Sequence, residues 1–382
     1  MKIQLGTTKK HQKGYEYLSL FPFPAKIRNA IEAQTKMLQK ANEAQFLLGK
    51  LSGITLLLPD VDYFISSYIT KDATSSSQIE GTKATMIEAF EYAADPANPG
   101  DTDADDISHY IAALHYGLKR LKEDNFPFSL RFIRELHKEL MKGARATHFS
   151  DPGEFRKSQN YIGGTAPSNA SFVPPAFEEL PEALNDVEKF IHSPYVHPII
   201  DAGLLHAQFE TVHPFLDGNG RTGRLLITFY LIHYKFLELP TLFLSSYFKR
   251  YQKIYYQRLA GYHAGDILPW VDFFLDAVID TAQQAIEVSK KITKLRDKDL
   301  ERISTIATNP TNTAVRVLQN LYKSPVASTA QIEEWTGYTR QGTIKLIDKL
   351  IEVGVVKLLR KGEGVKPSLY IHREYVSLFE DK

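Results

Sequence analysis

The stretch His213-Pro214-Phe215-Leu216-Asp217-Gly218-Asn219-Gly220-Arg221-Thr222-Gly223-Arg224 constrains this chain more than any other. Apolar residues run up to Val212 and resume soon after Asn219, so the stretch reads as a loop that delivers the chain onto a helix N-terminus. The backbone N–H groups of Gly218, Asn219 and Gly220 would have no intrahelical partner there and would point at an anion. Glycine on both sides of Asn219 lets the backbone come close to that anion. Arg221 and Arg224, three residues apart, share one helix face, and two guanidinium forks at that spacing suit successive phosphates. Asp217 supplies a hard oxygen of the kind Mg²⁺ takes together with substrate phosphates. His213 stands ahead of the loop and can accept a proton from a hydroxyl at neutral pH. Taken alone, a histidine is more often a surface or hydrogen-bonded core residue, and Asp-Gly-Asn-Gly is more often a turn. A bland turn has no need of two helix-face arginines and a preceding histidine, so the combination points to phosphate chemistry.

A chain of 382 residues predicts one medium domain with a smaller companion. With 43% hydrophobic and 24% charged residues it reads as an ordinary folded protein. There is no cysteine, which excludes thiol nucleophiles, thiolate metal sites and disulfides, and fits a reducing, cytoplasmic setting. The opening MKIQLGTTKKHQKG has no apolar run behind its basic residues, so no secretory signal is expected. Leu225 to Leu244 is apolar but interrupted by His233, Lys235 and Glu238, which predicts a buried core helix and no membrane partner. A net charge of +1 leaves any nucleic-acid contact to a local patch.

The pattern is mainly α, with amphipathic stretches near 25–50, 62–70, 84–94, 106–123, 128–143, 177–192, 198–212, 219–236, 248–262 and 267–294. Between Asp151 and Pro175, glycines and prolines bracket extended runs at Gln159–Ile162 and Ser171–Val173, which predicts a small β-hairpin. The charged stretch Lys290–Arg302 and the polar Asn309–Asn312 predict a boundary. Beyond it come a helix over 314–322, a capping box at Ser328 and Gln331, a turn at Thr336–Tyr338, a helix over 339–353, and strands at Val355–Leu359 and Ser368–Ile371. That order resembles the winged helix-turn-helix (α+β) modules. Arg340, Gln341 and Lys345 would then meet DNA bases, and Arg360 and Lys361 phosphates. The local excess of Lys and Arg is slight, so protein binding or homodimer formation by the same module stays open.

The 213–224 string resembles the HPFx[D/E]GNGRxxR motif of the Fic family at every defining position, and the resemblance extends over roughly residues 15–290. It implies a Fic-type helical core with a β-hairpin flap, binding ATP with Mg²⁺ and transferring AMP to a Ser, Thr or Tyr hydroxyl of a protein, possibly self-modification included. By motif position, His213 would be the base and Asp217 the Mg²⁺ ligand. Asn219 would grip the α-phosphate region, and Arg221 and Arg224 the β- and γ-phosphates. Gln159, Asn160, Tyr161, Ile162, Gly163 and Gly164 resemble the flap that aligns a target peptide by strand pairing. Tyr255 and Tyr256 resemble the aromatic pair of the nucleotide pocket, with His263 where some relatives carry Asn for the adenine. Ser76-Ser77-Gln78-Ile79-Glu80-Gly81 resembles the [S/T]xxxE[G/N] inhibitory motif, in which Glu80 would occupy Arg224. The implied division is 1–105 for the inhibitory region, 106–295 for the core and 310–382 for the winged helix. Alternatives on the same core are a nucleotide-sensing transcription regulator, removal of AMP, and the phosphotransfer of the Doc branch, which Gly220 and Arg224 disfavour.

Overall fold

From its N-terminus the chain forms an antiparallel hairpin, β1 (Gly6–Lys10) and β2 (Glu16–Leu20), with Gly6 opposite Leu20. Helices follow: α1 (Ala25–Glu32), α2 (Thr35–Leu56), α3 (Asp62–Ile79), α4 (Met86–Ala94), α5 (Thr102–Lys122), α6 (Leu130–Leu140), α7 (Leu180–His192), α8 (Pro198–Val212), α9 (Asn219–His233), α10 (Ser245–Arg250), α11 (Gln252–His263) and α12 (Ile267–Ser304). The C-terminal residues form α13 (Thr311–Lys323), β3 (Val326–Ser328), α14 (Thr329–Thr336), α15 (Arg340–Glu352), β4 (Lys357–Arg360), β5 (Leu369–Ile371) and α16 (Arg373–Val376). The computed structural model describes residues 2–23, 25–56, 60–95, 102–142, 151–193, 195–306, 311–364 and 366–380.

Two compact units interleave along the sequence. One comprises 1–49, 79–81 and 109–282; the other comprises 50–78, 82–108 and 283–382. This differs from the expected linear division at 105 and 310. Residues on both sides of Glu80 belong with the C-terminal elements, and only Ile79–Gly81 belong with the core.

In the first unit, α8 is buried from Ile199 to Val212 and α9 is buried over almost all of its length, so both are enclosed on every face, with polar side chains such as His206, Glu210 and Arg224 buried among the apolar ones. The Trp270 indole N–H donates to the Gly203 carbonyl at 2.9 Å, tying α12 to the middle of α8. Phe132 of α6 meets Phe229 of α9 edge to face at 5.3 Å. The hairpin β1–β2 was not expected, because its polar, lysine-rich sequence carries no apolar alternation. Backbone pairing makes it, with Tyr15 buried and stacked on His11 at 4.6 Å. The Leu18 N–H donates to the Val173 carbonyl at 3.1 Å, which joins the hairpin to the predicted flap.

In the second unit, Phe90 and Ala94 of α4 share an apolar cluster with Val326, Leu369, Ile371 and Val376. The sheet order is β3-β5-β4, all antiparallel, with a strand at 326–328 that the sequence pattern did not include. The predicted capping box is present: the Gln331 N–H donates to Ser328 Oγ at 3.3 Å and the Ser328 N–H to Gln331 Oε1 at 2.9 Å.

Two expectations are corrected here. Lys290–Arg302 is helix, not boundary: buried Asp299 accepts from the Tyr322 hydroxyl and from His372 Nε2, both at 2.8 Å, and Arg302 bonds Glu374 at 2.8 Å. Asn309 and Pro310 lie outside the described residues. Arg360 is not free for phosphates, because Asp95 holds it at 2.7 Å and Glu91 at 3.7 Å. Arg340, Gln341 and Lys345 are exposed on α15. Among the described residues, no helix is long and apolar enough to cross a membrane.

Candidate active site

The C-terminus of α8 places His213. Its backbone is left-handed (φ 48°, ψ 61°), and its N–H closes the helix on the Phe209 carbonyl at 2.9 Å. A side-chain-bearing residue pays about 1–2 kcal/mol for that conformation, so it persists only where the surroundings impose it. The imposition is visible in the loop that follows. Phe215 is fully buried and stacks on His137 at 3.7 Å. Asn219 locks the same residue from the other side, its Oδ1 accepting from the Phe215 N–H at 2.9 Å and its Nδ2 donating to the Phe215 carbonyl at 2.8 Å. His137 Nδ1 accepts from the Gly153 N–H at 2.8 Å, so Nε2 carries the proton and donates to the Asp217 carbonyl at 3.0 Å.

The same reasoning fixes the tautomer of His213. Its Nδ1 lies 3.3 Å from the Glu210 carbonyl, and a carbonyl only accepts, so Nδ1 bears the hydrogen and Nε2 is the basic nitrogen. Burial pushes the imidazole down to about 4, which keeps it neutral near pH 7. Glu210, one helical turn earlier, is pushed up to about 8 by burial, and its Oε1 has no hydrogen-bond partner among the described residues.

The α9 N-terminus opens on a cavity of about 590 Å³ lined by Glu80, His213, Asp217, Asn219, Arg224 and Tyr256, among others. Gly218, at φ 74°, is its N-cap, and its N–H donates to Asp217 Oδ1 at 2.6 Å. Arg224 is buried and donates through Nη2 to Glu80 Oε1 at 2.7 Å. Glu80 follows directly on α3, and its side chain stays 39% exposed toward the cavity while that of Arg224 is 2% exposed. Burial pulls the Glu80 carboxyl up, but Arg224, with Arg221 and His213, outweighs it and holds the carboxyl below its ordinary range. Gly220 makes the room: a Cβ there would lie 2.2 Å from Glu80 Oε1.

A family model of the Fic/DOC family matches residues 127–231, and one of the Fic/DOC family N-terminal region matches residues 38–119. Residues 38–119 and 127–231 thus carry the two regions of the Fic/DOC family. It is 33% identical over 171 residues to a protein adenylyltransferase Fic of Aedes aegypti, covering 43% of this chain and 30% of that protein. It is 33% identical over 159 residues to the Drosophila yakuba protein of the same name, covering 40% and 28%. The chain thus spans less than a third of the length of these curated relatives. In fold it is similar to a Fic family protein from Desulfovibrio desulfuricans (TM-score 0.55, 17% identity, 88% of this chain and 96% of that one). It is also similar to a Fic domain containing signaling protein from Bacteroides thetaiotaomicron (TM-score 0.54, 22% identity, 65% and 97%).

This Fic/DOC core gathers most, not all, of the expected residues at the cavity. Arg221 is buried against the Met141 sulfur and is not among the lining residues. The Asn219 carboxamide, expected at a phosphate, is engaged at both ends by Phe215, so here it pins the loop. Tyr255 and Tyr256 both line the cavity: Tyr255 is buried with its hydroxyl bonded to His206 at 2.8 Å, and Tyr256 is half exposed and donates to the Ile79 carbonyl at 3.3 Å. Ser76 is buried within α3 and does not line the cavity. His263 lines the cavity and stacks on Phe172 at 3.9 Å.

The predicted hairpin reduces to one antiparallel bridge, Ile162 with Phe172, with Gly163 and Gly164 turning after it. Asn160 braces it on the Phe215 and Leu216 carbonyls at 2.9 and 3.2 Å, and Gln159 bonds the Pro174 carbonyl at 3.1 Å. Asn160, Tyr161, Ile162 and Gly163 line the cavity, whereas Gly164 does not. Sequence reasoning missed Glu210 and His137, and took Arg156 only as part of the Gly153-Glu154-Phe155-Arg156 start of the flap. Only Glu210 left a signal, its i, i+3 spacing to His213.

Proposed function

We propose that this chain is a protein adenylyltransferase that transfers AMP from ATP to a Ser, Thr or Tyr hydroxyl of a target protein and is held in check by Glu80. What carries this reading is a neutral imidazole with a free Nε2 at the rim of a cavity that also holds a helix N-terminus and the Glu80–Arg224 pair. The relatives named adenylyltransferases support the same class of reaction.

In the proposed step the target hydroxyl oxygen forms a bond to the α-phosphorus, and the bond from that phosphorus to its bridging oxygen breaks. Pyrophosphate leaves, and the hydroxyl proton passes to His213 Nε2. Burial leaves that nitrogen weakly basic, and a triphosphate beside it would raise its basicity toward the range a general base needs. The N–H groups at the start of α9 would face the phosphates, and Arg224 would bind them once Glu80 withdraws.

The donor set fits Mg²⁺: Asp217 is exposed at the cavity with one backbone N–H on Oδ1, and Mg²⁺ needs only one or two carboxylates beside substrate phosphates. Bound there, it would neutralise charge on the leaving pyrophosphate. The half-paired flap offers a short backbone edge beside the cavity for an extended target segment.

The test is mass spectrometry of a lysate incubated with ATP, Mg²⁺ and the Glu80→Gly protein. An adenylyl increment on a Ser, Thr or Tyr side chain is the expected result. A phosphoryl increment, or none on any protein, would overturn the reading.

A further inference from the structure

Arg156 lies at the foot of the flap and is 3% exposed. Every acceptor it finds is a backbone carbonyl. Its Nε–H donates to His213 at 2.9 Å, its Nη1–H to Ser158 at 3.2 Å, and its Nη2–H to Pro175 at 2.6 Å and Val212 at 3.4 Å. Its own N–H donates to the Pro214 carbonyl at 2.8 Å. Among the described residues no carboxylate forms an ion pair with it, so a cation is kept out of water with carbonyl dipoles as its hydrogen-bond partners and Glu178 acting on it only from beyond ion-pair distance. Such burial is costly and needs a compensating role. Arg156 is not among the residues that line the cavity, which leaves nucleotide contact out.

The carbonyls it selects define that role. Val212, His213 and Pro214 are three consecutive residues around the left-handed turn that aims the imidazole. Ser158 and Pro175 are near the two ends of the flap. One guanidinium therefore fastens the catalytic turn and both feet of the flap. A planar fork with five donors can do this where an ammonium cannot reach all the acceptors.

We propose that Arg156 is a positioning residue for adenylyl transfer, which holds His213 in its strained backbone conformation and fixes the flap to it as one body. The proposal rests on His213 being the base, as argued above. Its charge also acts on the imidazole: burial lowers the His213 pKa most, and Arg156 lowers it further. The Glu210 carbonyl on α8 and the Glu80 and Asp217 carboxylates, from the residue after α3 and from the loop, oppose that effect, and His263 faces the same imidazole from α11.

The test uses the full chain carrying Glu80→Gly, into which Arg156→Gln and Arg156→Lys are introduced. For Arg156→Gln, kcat should fall about 100-fold, the loss that a misplacement of about an ångström produces, while the ATP dissociation constant stays within about threefold of the parent. Arg156→Lys should recover part of kcat, because a cation still reaches some of the carbonyls. Imidazole NMR should show His213 titrating at higher pH in Arg156→Gln and close to the parent in Arg156→Lys. An unchanged kcat, a loss of ATP affinity in proportion to kcat, or a His213 titration indifferent to Arg156 would overturn the proposal. Should Arg156→Gln not fold, the Lys variant decides alone: a fall in kcat of about tenfold at constant ATP affinity supports positioning, and parental kcat refutes it. If Glu80→Gly itself transfers no AMP, the adenylyltransferase reading fails, and the NMR comparison still tests whether Arg156 sets His213.

Discussion

Glu80 Oε1 accepts a hydrogen bond from Arg224 Nη2 at 2.7 Å, across the space that Gly220 leaves by having no side chain. On the proposed function, an anionic ligand would take the place of this carboxylate at the buried guanidinium, so ligand and Glu80 would compete for one fork. Glu80→Gly should therefore tighten ATP binding by about tenfold, within the range of ordinary coupling energies. Isothermal titration of both proteins checks this. Equal affinity would mean that Glu80 leaves Arg224 without cost.

Phe215 is buried and held by both ends of the Asn219 carboxamide. Asn219→Ala leaves the buried Phe215 N–H without its partner and the Phe215 carbonyl with Asn160 Nδ2 in place of two donors, and should lower stability by about 1–3 kcal/mol. Chemical denaturation measures it. If Asn219 served ligand alone, the variant would bind ATP poorly at unchanged stability.

Burial holds four histidines neutral: His137 and His213 are pushed down to about 4, and His206 and His263 to about 3, from an ordinary value of 6.5. Between those values the unfolded chain binds more protons than the native one, so stability falls as pH falls from about 6.5 toward 3. Thermal melts should show the melting temperature dropping through this window, and a flat profile would contradict burial of neutral imidazoles.

Glu210 has the opposite sign. Its carboxyl is pushed up to about 8 from an ordinary 4.5, so the native state holds a proton that the unfolded chain releases, and stability is lost as pH rises between those values. Glu210→Gln removes this term. The variant should match the wild type near the lower value and gain on it steadily up to about pH 8. A difference independent of pH would rule the assignment out.

The helices and the loop at 213–224 were legible because hydrophobic spacing and a string of special residues are local signals. His213, Asp217 and Arg224 could be named for the same reason, and Glu80 because its motif lies within six residues. The pairing of Glu80 with Arg224 was legible too, through the motif resemblance, and the two lie 2.7 Å apart; what holds the loop and His213 in place was not. Arg156 and His137 act through partners 57 and 80 residues away, and no local pattern encodes such contacts. The charged stretch at 290–302 misled because Asp299 is buried beside His372 and Tyr322, a tertiary arrangement that overrides its polar appearance. The β1–β2 hairpin escaped because backbone pairing, not side-chain alternation, holds it.

The most direct measurement compares incorporation of label from α-labelled and γ-labelled ATP into protein by Glu80→Gly, with and without His213→Ala. The account predicts incorporation from the α-label only. It also predicts a loss of about 10²–10⁴-fold on adding His213→Ala, while ATP still binds. Label from the γ-position, or undiminished transfer without His213, would contradict it.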